Sequence, residues 1–96
     1  MTHANPEFSI IIVTYNSNEY LAKCIRALIT QRNKNFEVII VDNDSNEDLI
    51  NFDNFNSLDL KVIKLEKNFG FAAANNIGAK KATGEWLITL NPDAIP

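Results

Sequence analysis

The chain switches between short stretches that are apolar throughout and longer stretches with a helical stripe. FSIIIVTYN (Phe8 to Asn16) is a continuous β-branched run closed by polar turn residues, and FEVIIVDNDS (Phe36 to Ser45) repeats it. A run that does not alternate has no solvent face, so both are read as strands buried on two sides. EWLITL (Glu85 to Leu90) shows the same core profile and predicts a further strand. LKVIKLE (Leu60 to Glu66) differs, because Lys61 and Lys64 interrupt Leu60, Val62, Ile63 and Leu65. That is the pattern of a shorter, wetter strand near a sheet edge.

Between these strands the period changes. Tyr20, Leu21, Cys24, Ile25, Leu28 and Ile29 recur at helical spacing with Lys23 and Arg26 on the other side. They predict an amphipathic helix over roughly 18–31, with Ser17 as its N-cap. NEDLINFDNFNSLD carries Leu49, Ile50, Phe52 and Phe55 behind an Asn46 or Ser45 cap signal, and predicts a short helix despite many weakly helical Asn and Asp residues. NFGFAAANNIGAKKATG opens on a turn at Asn68 to Gly70, places Ala72 to Ala74, Ile77 and Ala79 on a small-residue helix, and is expected to end at Gly84. Trp86 and Phe71 are read as packing groups.

The resulting order, βαβ(α)βαβ, has crossovers too long for hairpins. It predicts an α/β fold: a Rossmann-like, mostly parallel sheet of about four strands with helices on both faces. The polar turns at Thr14 to Asn16, Asp42 to Ser45, Asn68 to Gly70 and Asn91 to Asp93 then all fall at the carboxyl ends of strands. Open α/β sheets bind ligands on that rim.

Composition narrows the function. The 96 residues suit a single domain, 1–96, with the polar segment MTHANPE (1–7) expected as a flexible tail in which His3 has no ligand role. A net charge of −3 with scattered basic residues argues against nucleic acid as a partner. The lone Cys24 falls in the apolar stripe of the first helix, as a core thiol in a reducing compartment would. No segment resembles a signal peptide or membrane span, and a cytoplasmic location is expected.

The rim carries nucleotide-like chemistry. Asp42 and Asn43 offer base or ribose partners, although Asp42 would serve equally as a helix cap. The Asn68 to Gly70 turn opens a helix and would present N–H groups to phosphates. It is not GxGxxG, however, and TYNSNEY after the first strand contains no glycine, which argues against a dinucleotide dehydrogenase. With few basic residues expected there, a diphosphate calls for a hard divalent cation, with Asp93 as a ligand. Asn-Pro-Asp is also ordinary turn chemistry. The adjacent Asn75 and Asn76 are poor helix formers in an alanine-rich helix, which points to a positioned role near the rim or to bonds with neighbouring backbone. A competing class is a non-catalytic receiver or flavodoxin-type module binding a cation, nucleotide or phosphate at the same rim. A receiver wants a lysine at a strand tip, and none is expected here.

SIIIVTYN, EVIIVDNDS, NFGFAAANNIG and GEWLITLNPDA, in this order and spacing over about residues 8–95, resemble the nucleotide-sugar half of a family 2 glycosyltransferase with the GT-A fold. The resemblance implies that Val13, Thr14, Tyr15, Asn16, Asp42 and Asn43 grip the nucleoside, with Asn68, Gly70, Asn75 and Asn76 further along the site. It implies that Asn91-Pro92-Asp93 stands at the family's Asp-x-Asp motif, Asp93 and Asn91 holding Mn²⁺ or Mg²⁺ against the diphosphate. Asn replaces a frequent Asp at positions 43 and 91, and Asn75-Asn76 replaces a frequent Arg-Asn pair. The combination of NFGFAAANNIG with NPDA is similar to the rhamnosyltransferase-like branch, implying a dTDP-sugar donor and bacterial polysaccharide synthesis; for the family as a whole the expected partner is a dTDP- or UDP-sugar. In that family the sugar passes with inversion to an acceptor hydroxyl on a saccharide or lipid-linked saccharide, and the parent protein is expected in the cytoplasm or peripherally at the inner membrane face. The catalytic base lies beyond the metal motif. The chain is therefore expected to be an amino-terminal donor-binding fragment, inactive alone, with no catalytic residue of its own and a tendency to self-associate.

Overall fold

The computed structural model describes residues 6–32, 35–46 and 57–90. Its elements are β1 (Phe8–Thr14), α1 (Asn18–Ile29), β2 (Phe36–Asp42), β3 (Asp59–Lys64), α2 (Phe71–Lys81) and β4 (Trp86–Leu90). The strands form one sheet in the order β3-β2-β1-β4, and every pairing is parallel. This is the expected α/β class. The helix expected in NEDLINFDNFNSLD falls almost wholly outside the described residues, as do Asn91 and Asp93.

The unbroken apolar runs are explained by the layers. Ile10, Ile12, Val38 and Ile40 point to one face and pack with Leu21, Cys24 and Ile25 of α1. Ile11, Val13, Ile39 and Val41 point to the other and pack with Ala74 of α2. With neither face of β1 or β2 in water, each buried Ile or Val contributes about 1.5–3 kcal/mol. The small residues of α2 let it sit low on the sheet: a Cβ at Gly78 would lie 2.7 Å from Ile11 Cγ2 and 3.0 Å from Val41 Cγ2.

A polar knot closes the amino end of the sheet on the α2 side. Glu37 accepts hydrogen bonds from Ser9 Oγ at 2.6 Å, Lys61 Nζ at 2.8 Å, the Thr83 N–H at 2.6 Å and Thr83 Oγ1 at 3.0 Å. Ser9 Oγ accepts the Gly84 N–H at 2.7 Å, so one side-chain cluster joins β1, β2, β3 and the turn into β4. Burial of the Glu37 carboxyl would raise its pKa, but the bonds from Lys61, Ser9 and Thr83 outweigh it and hold the group at about 2.

Several expectations are corrected. Helix α1 ends at Ile29 instead of 31, and Ser17, although at the N-cap position, makes no capping bond. Its hydroxyl donates instead to the Tyr15 carbonyl at 2.8 Å. Helix α2 ends at Lys81, so Gly84 is not its terminal glycine. Gly84 is pressed against β1, where a Cβ would lie 2.6 Å from Ser9 Oγ and 2.7 Å from the Phe8 carbonyl carbon. Among the described residues β4 is an edge strand and not a core strand: Trp86 is 60% exposed, and Leu87 and Ile88 are exposed with it. Among the described residues it pairs only with β1, while α2 lies over β1 and β2, so none of them gives Trp86 the cover its sequence pattern implied. Phe71 at the start of α2 is likewise 52% exposed. Glu7, expected in the tail, already joins the fold: its N–H donates to Asn35 and its carbonyl accepts from Trp86.

Candidate functional site

Parallel pairing brings the carboxyl ends of β1, β2 and β3 to one rim, and the turns that follow are tied to one another. The Asn43 N–H donates to the Thr14 carbonyl at 2.9 Å, and the Leu65 N–H donates to the Asp42 carbonyl at 2.9 Å. The Asn16 N–H donates to Ser45 Oγ at 2.9 Å, while Asn16 Oδ1 accepts the Asn46 N–H at 2.7 Å. Asn16 and Asp44 both take positive φ, 50° and 67°, a conformation that Asn and Asp tolerate better than other side-chain-bearing residues. The β1 and β2 turns are thus clasped, not merely adjacent.

The third turn is fastened by buried Asn43, whose Oδ1 accepts the Phe69 N–H at 2.9 Å. Asn68 Oδ1 accepts the Gly70 N–H at 2.8 Å, and Gly70, with φ of 86°, is the N-cap of α2. Positive φ without strain is the reason for glycine there. Helix α2 has no side-chain cap and no acidic residue in its first turn, so the positive end of its dipole is directed at the rim.

Asp42 stands at the centre with its side chain 0% exposed. Oδ2 accepts from Lys64 Nζ at 3.1 Å, and Oδ1 accepts from the Ser45 hydroxyl and, at 3.3 Å, from the Ser45 N–H. A carboxylate so enclosed serves first to hold the turns. Thr14, Asp42 and Lys64 are partners across β1, β2 and β3, one row on the α1 side of the sheet. Within that row the Thr14 hydroxyl, 1% exposed, has no hydrogen-bond partner among the described residues. Asn75 donates from Nδ2 to the Phe71 carbonyl at 3.1 Å, the neighbouring-backbone reading, yet its buried Oδ1 also lacks a partner among the described residues.

The anticipated residues therefore separate. Thr14, Asn16, Asp42, Asn43, Asn68 and Gly70 all belong to the interlocked turns, with the half-exposed Tyr15 ring beside them. Val13 sends its side chain into the α2-side core. Asn76 is exposed on α2. Asn91 and Asp93 lie outside the described residues, although β4 ends at Leu90 on the same rim. Among the described residues no group of three His, Cys, Asp or Glu side chains stands ready to hold a metal.

Sequence reading missed Ser45 as a clasp and Lys64 as a rim cation. The expectation that no lysine stands at a strand tip is corrected, since Lys64 is the last residue of β3. The signal was available only in the register that sets Lys64 beside Asp42.

Comparison with known proteins decides the family. The model for glycosyl transferase family 2 matches residues 9–96. The chain belongs to that family. An uncharacterized glycosyltransferase of Haemophilus influenzae is 38% identical over 85 residues, covering 88% of this chain and 29% of the relative. The poly(ribitol-phosphate) β-N-acetylglucosaminyltransferase TarS of Staphylococcus aureus is 34% identical over 92 residues, which is 91% of this chain and 16% of TarS. The crystal structure of TarS 1-349 superposes with a TM-score of 0.82 at 35% identity, covering 91% of this chain and 27% of that one. The TarS 1-349 complex with UDP-GlcNAc superposes with a TM-score of 0.79. This family 2 chain thus spans less than a third of the relatives it matches. Among the described residues no helix is long and apolar enough to cross a membrane.

Proposed function

We propose that this chain is the nucleotide-sugar-binding part of a metal-dependent glycosyltransferase whose parent transfers the sugar, with inversion, to an acceptor hydroxyl. The observation that carries the reading is the rim: three interlocked polar turns at the carboxyl ends of the strands, with the uncapped amino end of α2 opening from the third and a buried Thr14 hydroxyl without a partner among the described residues. Buried polar atoms are normally paired, so each orphan, Thr14 on the α1 side of the sheet and Asn75 on α2, is a group that a ligand or a further segment would complete. Family membership supplies the ligand class. TarS 1-349 forms complexes with UDP and UDP-GlcNAc, which favours a UDP-sugar over a dTDP-sugar as donor.

Asp93 and Asn91 are hard oxygen donors, the chemistry that Mn²⁺ or Mg²⁺ takes, and both follow directly on β4. When bound, the metal supplies positive charge to the departing diphosphate. The chain's own contribution is to seat the nucleoside among Tyr15, Asn16 and Asn43 and to offer the amino end of α2 to the diphosphate. The acceptor, a saccharide or lipid-linked saccharide, and the catalytic base belong to sequence beyond this part. A cell-surface polymer is the product class, by analogy with the ribitol-phosphate polymer that TarS modifies. The buried free thiol Cys24 is consistent with the cytoplasm. The exposed apolar edge of β4 supports self-association of the isolated chain. A receiver-type module is not favoured, because Asp42, the carboxylate paired with the strand-tip lysine, is fully buried and already engaged at both oxygens.

Calorimetry with UDP and dTDP, with and without Mn²⁺, tests the reading. Metal-dependent UDP binding is expected, and Asp93→Ala should remove the metal-dependent part alone. Absence of such binding, both in this chain and in a longer relative carrying the same rim, would overturn it.

A further inference from the structure

The two lysine–carboxylate pairs of the sheet end in different places. At the amino end, the bonds of Glu37 with Lys61 run to Ser9 and Thr83 and stay within the framework. At the carboxyl end, the bonds of Asp42 with Lys64 run outward, through Ser45, to the turn after β1. We infer that Lys64 is a positioning residue for the β1 turn, acting through Asp42 and Ser45 on Asn16.

Donor and acceptor directions make the chain of bonds one-way. Lys64 Nζ donates to Asp42 Oδ2 at 3.1 Å, fixing a side chain that is 0% exposed. An ionised carboxylate only accepts, so the single Ser45 hydroxyl proton must be directed at Asp42 Oδ1. Ser45 Oγ then turns its lone pairs outward and accepts the Asn16 N–H at 2.9 Å. Asn16, held at φ of 50°, completes the clasp by accepting the Asn46 N–H at 2.7 Å. Remove the ammonium, and the buried carboxylate loses its counter-charge and the fixed position from which it orients Ser45, which loosens the bond that holds Asn16 in a sparsely populated conformation. Lys64 itself is 62% exposed and makes this pair from the end of β3, so its substitution leaves both core clusters intact. Tyr15, half exposed beside Asn16, is carried by the same turn.

The relay is a property of the free chain, whereas its consequence for ligand binding rests on the nucleotide-sugar reading, and the test keeps the two apart. Amide exchange is measured by NMR on the full 96-residue chain and its Lys64→Met, Lys64→Arg and Ser45→Ala variants. Exchange at Asn16 and Asn46 should rise about tenfold in Lys64→Met and Ser45→Ala, return to within about threefold in Lys64→Arg, and leave Ile11 and Ile39 unchanged. UDP affinity with Mn²⁺ should fall about tenfold in Lys64→Met and recover in Lys64→Arg. The double variant should bind no more weakly than the weaker single one, because both act in one series. Unchanged exchange at Asn16 and Asn46 in Lys64→Met would overturn the inference, as would full additivity of the two substitutions. If the unaltered chain binds no UDP, the nucleotide reading fails while the exchange data still decide the relay.

Discussion

Glu37 Oε2 accepts the Thr83 N–H at 2.6 Å, a bond between residues 46 apart in the chain that joins β2 to the turn before β4. Because Gly84 in that turn also bonds Ser9 Oγ, β4 enters the sheet already located beside β1. The carboxylate is the common acceptor, and removing it strands several donors at once.

Glu37→Ala should therefore destabilise the chain by about 3 kcal/mol, since it leaves the buried Ser9 hydroxyl and the partly buried Thr83 donors without their acceptor. Glu37→Gln should lose roughly half as much, keeping the shape but placing an N–H₂ group against donors. Urea unfolding followed by circular dichroism gives both numbers. A loss below about 1 kcal/mol in the Ala variant would show that the knot contributes little.

Acid should act through the same group. The Glu37 carboxyl is lowered from 4.5 to about 2 in the folded chain. A depressed carboxylate stabilises the fold above its unfolded value, and that contribution is lost as pH falls from about 4.5 toward 2. The amount at stake is about 3 kcal/mol. Urea midpoints measured between pH 7 and pH 2 should fall less steeply in Glu37→Gln than in the unaltered chain; parallel curves would assign acid sensitivity to other carboxylates.

The two close-packed glycines should respond unequally to alanine. A Cβ at Gly84 meets the Phe8 and Ser9 backbone at 2.7 Å, which moves only if β1 and β4 separate. A Cβ at Gly78 meets the methyl groups of Ile11 and Val41, and alanine there also gains helix propensity. Gly84→Ala is expected to cost about 2–3 kcal/mol and Gly78→Ala about 1 kcal/mol or less. Thermal unfolding of the pair checks the order, and a reversal would mean that the α2–sheet contact is the more rigid one.

Burial pushes the Cys24 thiol above its ordinary pKa of 9.0. With little thiolate and no access, it should react with a thiol reagent only as fast as the chain unfolds. Labelling with Ellman's reagent in buffer and in denaturant measures this. Rapid reaction of the native chain would place Cys24 at the surface.

Much of the fold was legible in local pattern. Ile10 to Val13 and Val38 to Val41 could be assigned as doubly buried strands because a β-branched run without alternation has no other place in a small α/β domain. The rim was legible for a related reason: Thr14, Asp42 and Asn68 mark where apolar runs break into turn chemistry. Glu37 was not legible. It follows Phe36 as one charge at the start of an apolar strand, and nothing nearby shows that Ser9, Lys61 and Thr83 converge on it.

The sequence by itself determined the number and type of the described elements, the parallel direction of the strands, and the polar residues that end them, because these follow from periodicity over a few neighbours and from the lengths of the connections. Only the tertiary structure decided that β4 lies at an edge with Trp86 in solvent, that Gly84 packs on β1, and that Lys64 stands over Asp42. Each of these depends on strand order and register, which couple residues tens of positions apart through backbone pairing that no short window contains.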